Sequence, residues 1–221
     1  MEINALLKTA TLEPTRVIPF DINTATRLDL SKDNKQLQQT DLNNPDEFSG
    51  FINDQITRTG ATVGWGGYRE ERGLYSRSEL FDEEEPRTIH LGIDIWMAAG
   101  TEVRAPLAAE VHSYANREVH GDYGPVIILK HSVAGTVFHT LYGHLSTASL
   151  AGLEVGQRIE QGQSFASLGK YEENFHWPPH LHFQVIMDMQ GNEGDYPGVC
   201  KASESAYYFA NCPDPAALVF G

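Results

Sequence analysis

The chain has 221 residues, 41% hydrophobic and 21% charged, which suits a folded globular protein with a sizeable core and no low-complexity tract. Sixteen Lys and Arg against 30 Asp and Glu give a net charge of −14, which repels a phosphate backbone and argues against a nucleic-acid partner. No apolar run approaches the ~20 residues that span a bilayer, and the opening MEINALLKTATLEPTRVIPF lacks the basic and apolar regions of a secretory signal; a cytoplasmic chain with no membrane partner is expected.

Residues 1–86 read as an irregular N-terminal extension. Within it, NNPDEF at 43–48 is a turn leading into a short helix, EFSGFINDQI. Next, TGATVGWGGYREERGLYSRSELF sets Gly60, Gly64, Gly66, Gly67 and Gly73 among aromatic and charged residues, the texture of a loop or irregular hairpin. The acidic run Asp82–Glu85, read as a solvated turn, and Pro86 close it. From 87 to 190 short β-rich runs alternate with turn signals, as in VRAPLAAEVHSYA, GPVIILKH, TVFHTLYGHL and HLHFQVIMD, which predicts an all-β core. The stretch 191–221 is rich in Gly, Pro and aromatics and is expected to wrap that core as ordered loops with a short terminal helix. Its two cysteines, Cys200 and Cys212, are either one disulfide or two buried thiols, and a cytosolic chain favours thiols.

Two segments carry chemistry. In HLGIDIW, strand alternation puts His90, Gly92, Asp94 and Trp96 on one face and Leu91, Ile93 and Ile95 on the other. In HLHFQVI the same period groups His180, His182 and Gln184 opposite Leu181, Phe183 and Val185. Each polar set is free to converge on one point. A catalytic zinc site takes three protein ligands, imidazole nitrogen or carboxylate oxygen, and keeps one position open for water, a requirement that two histidines and an aspartate meet. A structural site built on cysteine alone is excluded by the cysteine count.

These residues resemble a known family. HLGID matches the HxxxD motif and HLH the HxH motif of lysostaphin-like, LytM-type zinc metallopeptidases, and LYGHLS resembles their third histidine motif. DIWMAAGTEVRAPLAAEV and LEVGQRIEQGQSFASLG resemble the family's connecting segments, so the likeness runs in order over residues 87–187. It implies a duplicated hybrid motif, a compact open barrel or sandwich. It further implies one Zn2+ held by His90, Asp94 and His182, with His144 and His180 flanking the metal water as catalytic groups, either of them the base. The implied activity is hydrolysis of amide bonds in short or peptidoglycan-derived peptides. VGWGGYREERGLYSRSELF, GDYGPVIILKH and NEGDYPGV also resemble a variant found beside kinase-like and aminotransferase domains, which implies a small intracellular substrate. Two alternatives stay open: a zinc amidohydrolase of a small non-peptide metabolite, and a non-catalytic zinc-containing binding module.

The chain departs from the family's small-residue approach to HxH, placing Phe175, His176 and Trp177 before Pro178 and Pro179. Trp177 is accordingly a candidate substrate contact on a stiffened wall. Tyr68, Arg69, Arg72 and Tyr75 are the other candidates, on a Gly-rich lid folding over the site with an arginine to clamp a carboxylate. His112, His120, His139 and His176 read as structural, and His131 as a hydrogen-bonding support for the site.

Overall fold

The computed structural model describes residues 2–73, 85–119, 121–174 and 177–221. The chain begins with helix α1 (Ile3–Ala10), followed by a three-residue strand β1 (Ala25–Arg27) and helix α2 (Pro45–Arg58). Helix α2 starts where its sequence supplies a cap: the Asn44 side chain accepts from the backbone N–H groups of Asp46 and Glu47, Pro45 occupies the first turn, and Asp46 and Glu47 face the positive helix end. Phe48, Phe51, Ile52 and Ile56 form its buried stripe.

Strands β2 (Val63–Gly66), β3 (Ile89–His90), β4 (Ile93–Trp96), β5 (Glu102–Arg104), β6 (Ala109–Arg117), β7 (Gly124–Val133), β8 (Thr136–Gly143), β9 (Arg158–Ile159), β10 (Ser164–Ser167), β11 (His180–Ile186) and β12 (Val199–Cys200) follow. Helices α3 (Ser205–Asn211) and α4 (Ala216–Val219) end the chain. The main sheet has eight strands in the order β1-β2-β4-β11-β8-β7-β6-β9, with two-stranded sheets β10-β5 and β12-β3 beside it. It is mixed, because β1 and β2 pair in parallel while the other neighbours are antiparallel. The architecture is thus mostly β and open, as expected, with helices at its margins.

The extension is not irregular. Its β2 pairs with β4, setting Gly64 opposite Trp96 and Gly66 opposite Asp94, so residues read as a loop prolong the sheet that carries the site. Glycine at 66 is a packing requirement: a Cβ there would lie 2.9 Å from the Leu28 carbonyl oxygen. Alternation divides the sheet's faces. Ile93, Ile95, Phe183 and Val185 pack with α1 and α4, while Leu141, Ile186, Tyr196, Cys200 and Cys212 fill a second cluster. Cys200 and Cys212 are free thiols. Among the described residues no helix is long and apolar enough to cross a membrane.

Candidate metal centre

Strand β11 lies between β4 and β8, and its register sets His182 directly opposite Asp94 on one side and Gly143 on the other. His90 belongs to the separate strand β3, paired with Val199, so HLGIDIW is not one unbroken strand as the alternation suggested. The break falls at Gly92, where the backbone runs so close to β11 that a Cβ would lie 2.7 Å from the Phe183 carbonyl oxygen.

The three side chains still converge. His90 Nε2 lies 3.0 Å from His182 Nδ1, and Asp94 Oδ1 is 3.2 Å from the first nitrogen and 3.1 Å from the second. All three residues are buried. The outward nitrogens settle the tautomers. His90 Nδ1 donates to the Gly67 carbonyl at 3.1 Å, and His182 Nε2 donates to Gln184 Oε1 at 3.0 Å. The Gln184 amide cannot be reversed, because its Nε2 donates to the Pro197 carbonyl and to Cys212 Sγ. Both inward nitrogens therefore present lone pairs, facing each other and a carboxylate oxygen, an arrangement that calls for a cation between them. Arg72 completes the support: its Nη1 donates to Asp94 Oδ2 at 2.5 Å and its Nε to Glu70 Oε2 at 2.7 Å, leaving Oδ1 turned to the histidines.

Electrostatics keep the donor set ready. Burial, aided by the nearby Arg72 charge, pushes the His90 imidazole down to about 3. Burial alone would raise Asp94, but its interactions with His90 and Arg72 outweigh it and hold the carboxyl well below its usual range. A neutral imidazole and an ionised carboxylate suit a divalent ion.

His144 and His180 stand beside this cluster, ring centroids 4.1 Å apart. His144 ends β8 in the left-handed region at φ 61°, a strained geometry for a histidine, and its buried Nδ1 has no hydrogen-bond partner. His180 Nδ1 donates to the Pro178 carbonyl at 2.8 Å, which leaves Nε2 as the basic nitrogen. Burial and neighbouring imidazoles hold His144 well below the usual histidine value, and burial lowers His180 too, so both are neutral proton acceptors at pH 7. Trp96 stacks on His180 with centroids 5.4 Å apart, and Trp177 lies 6.1 Å from it.

One cavity of about 240 Å³ takes in His90, Asp94, His144, His180, His182 and Trp177, together with Arg72. The other expected substrate contacts differ. Tyr68 and Arg69 do not line the cavity: the Tyr68 hydroxyl donates to the Cys212 carbonyl at 2.7 Å, and the Arg69 guanidinium sits over the rings of Tyr68 and Phe209. Arg72 lines the cavity, is 2% exposed and pairs with Asp94 and Glu70. Residues 67–72 run alongside β3, exchanging backbone hydrogen bonds with His90, and residues 74–81 of the expected lid lie outside the described residues. Tyr75, His120, Phe175, His176 and residues 82–84 of the acidic run lie outside the described residues. His131 does not support the site either; its ring nitrogens pair with the Ala108 carbonyl and Thr140 Oγ1, away from the cavity wall. His112 and His139 pack on each other. Sequence reasoning grouped Gln184 with the histidines without giving it a task. It also missed Tyr123, whose ring lies 5.2 Å from that of His182.

The open sheet thus presents a candidate metal-binding group beside two further histidines in one cavity. Residues 88–194 match the profile described as Peptidase family M23. Among solved structures the chain is similar to the catalytic domain of the antimicrobial peptidase lysostaphin from Staphylococcus simulans, at 18% identity over 72% of this chain and 96% of that one, with a TM-score of 0.43. It is also similar to a zinc containing peptidase from Vibrio cholerae, at 22% identity over 54% of this chain and 31% of that one, TM-score 0.39. The prophage-encoded M23 protein EnpA from Enterococcus faecalis aligns through a mutant catalytic domain at 20% identity, over 48% of this chain and 73% of that one, TM-score 0.38. The alignment thus spans about a third of the length of the Vibrio cholerae protein. No curated protein sequence matches the chain.

Proposed function

We propose that this chain is a zinc metallopeptidase hydrolysing amide bonds in short or peptidoglycan-derived peptides, with His90, Asp94 and His182 as the metal ligands. The observation that supports it most is the convergence of two imidazole lone pairs and one carboxylate oxygen, each held in place by a partner behind it. His90, Asp94 and His182 would hold the zinc, which would there polarise the scissile carbonyl and acidify a water. The chain's own groups handle the proton. His180, fixed through Nδ1, takes it from the water on Nε2, and His144 faces the carbonyl oxygen; one of the two returns the proton to the leaving amine. Trp96 and Trp177 cover these rings and keep bulk water out.

Purified protein is expected to carry one zinc per chain. His90→Ala, Asp94→Ala and His182→Ala should each lower occupancy sharply, whereas His144→Ala and His180→Ala should keep zinc and lose roughly 10²- to 10⁴-fold in kcat. Full metal retention in all three ligand variants, read by mass spectrometry of the native protein, would overturn the ligand set.

A further inference from the structure

A second pair of histidines lies away from the cavity. His112 stands on β6 and His139 on β8, with β7 between them. A β-bulge brings the two together. Val111 pairs with Leu129 and Ser113 with Ile128, so His112 is the extra residue of the bulge. In an unbroken strand Val111 and Ala115 would share a face, whereas here Val111 packs in the first cluster and Ala115 against the second. The slip lets His112 reach His139 across β7. Their ring centroids lie 4.8 Å apart with the planes at 77°, the same separation and angle as the rings of His90 and His182 in the candidate metal centre.

The groups behind the two rings also suit ligation. His112 Nδ1 lies 2.8 Å from Ser113 Oγ, which accepts from the Gly194 N–H at 2.9 Å as well. With the hydroxyl oxygen taking the Nδ1 proton, the lone pair of His112 sits on Nε2. His139 Nδ1 is buried without a full hydrogen bond, and the Ile186 carbonyl, in register with His139 on β11, is the acceptor that draws its proton. Its lone pair is likewise left to Nε2. Burial lowers both imidazoles, His139 to about 4, so both are neutral at pH 7 as a metal requires. Glu193 faces His112 and Asp188 faces His139, and the one cation against them is Lys130, paired with His139 from β7. In a chain of net charge −14 the surroundings attract cations.

We infer that His112 and His139 form a second metal site, one for a divalent transition ion that favours imidazole, such as Zn2+, Ni2+ or Cu2+, and not for Mg2+ or Ca2+. Among the described residues no carboxylate oxygen joins them to make a three-ligand group, so water completes the coordination while Asp188 and Glu193 supply charge. Two protein ligands hold an ion less tightly than three. This ion therefore exchanges and is lost during purification, leaving the single retained zinc expected above. Neither histidine lines the cavity of the first centre, so the second site does not depend on the peptidase reading.

Calorimetric titration of zinc into the full chain, freed of metal by a chelator, tests the site. Two binding events are expected, a tight one that disappears in Asp94→Ala and a weaker one that survives there. His112→Gln and His139→Gln should each weaken the second event by about 10-fold or more while leaving the first unchanged, because each removes one of two protein ligands. His112 is only partly buried, so its variant keeps the test sound if His139→Gln disturbs the fold. Excess Mg2+ should leave both events in place. A single event in the unaltered chain would overturn the site, as would a second event that persists in both glutamine variants, yields to Mg2+, or vanishes with Asp94→Ala in a chain that still folds. A weak event alone, lost in His112→Gln, would sustain this site and remove the zinc reading of the first.

Discussion

Gln184 does not line the cavity, yet the tautomer of His182 hangs on it. Its Oε1 accepts the Nε2 proton, and its amide nitrogen is tied to Pro197 and Cys212, so the lone pair on His182 Nδ1 stays pointed at Asp94 and His90. Residues that orient a ligating histidine are typically worth 10- to 100-fold in metal affinity. Gln184→Leu should lose metal affinity by about that factor while folding normally, measured by competition with a chelator of known affinity. Undiminished affinity would show that packing alone orients His182. Arg72 acts on Asp94 in the same way, by occupying one carboxylate oxygen and freeing the other.

Among the elements, α2 is coupled to the site through aromatic rings. Phe48 is fully buried and meets Trp177 edge-on at 5.8 Å, and Trp177 in turn lies against His144 and His180. Phe48→Ala should cost about 3–5 kcal/mol in chemical denaturation, by the usual cost of an aromatic cavity. It should also lower kcat by loosening Trp177; an unchanged kcat would separate the two effects. This coupling was not legible in the sequence. The core strands and the convergence of His90, Asp94 and His182 were, because alternation in HLGIDIW and HLHFQVI sorts apolar from polar side chains. The extension was opaque for a physical reason: Gly64 and Gly66 look like chain breakers, whereas close contact with Leu28 selects them inside a strand. The burial of Arg72 was hidden for a related reason, since a charge buried against Asp94 looks in sequence like any solvated charge on a loop.

For the molecule as a whole, pH dependence of stability follows from histidines buried uncharged. His131 has both ring nitrogens satisfied inside the fold, and burial lowers its pKa from 6.5 to about 4. Between those values the unfolded chain binds a proton that the folded chain refuses. Stability is therefore complete above about pH 6.5 and falls as the pH drops toward 4, by on the order of 3 kcal/mol from this residue. His139, lowered to about 4 mainly by burial, adds to the same slope. In denaturant titrations at pH 7 and pH 5 with a chelator present, His131→Gln should show a smaller loss on acidification than the unaltered protein. An identical loss would mean that His131 is not the group responsible.

The ligand cluster also orders events in time. Asp94 and His182 meet across 88 residues of chain, His90 and His182 across 92, and the brace on Gln184 comes from Cys212, a further 28 residues on. Contacts of such separation form only after long loops have closed, which places them late in folding. A growing chain that has emerged only as far as β8 holds His90 and Asp94 without their partner, and one that has reached β11 still lacks the segment that fastens His182. The cluster is completed only after the sheet that carries it, so a half-made chain has no place for a metal ion to settle.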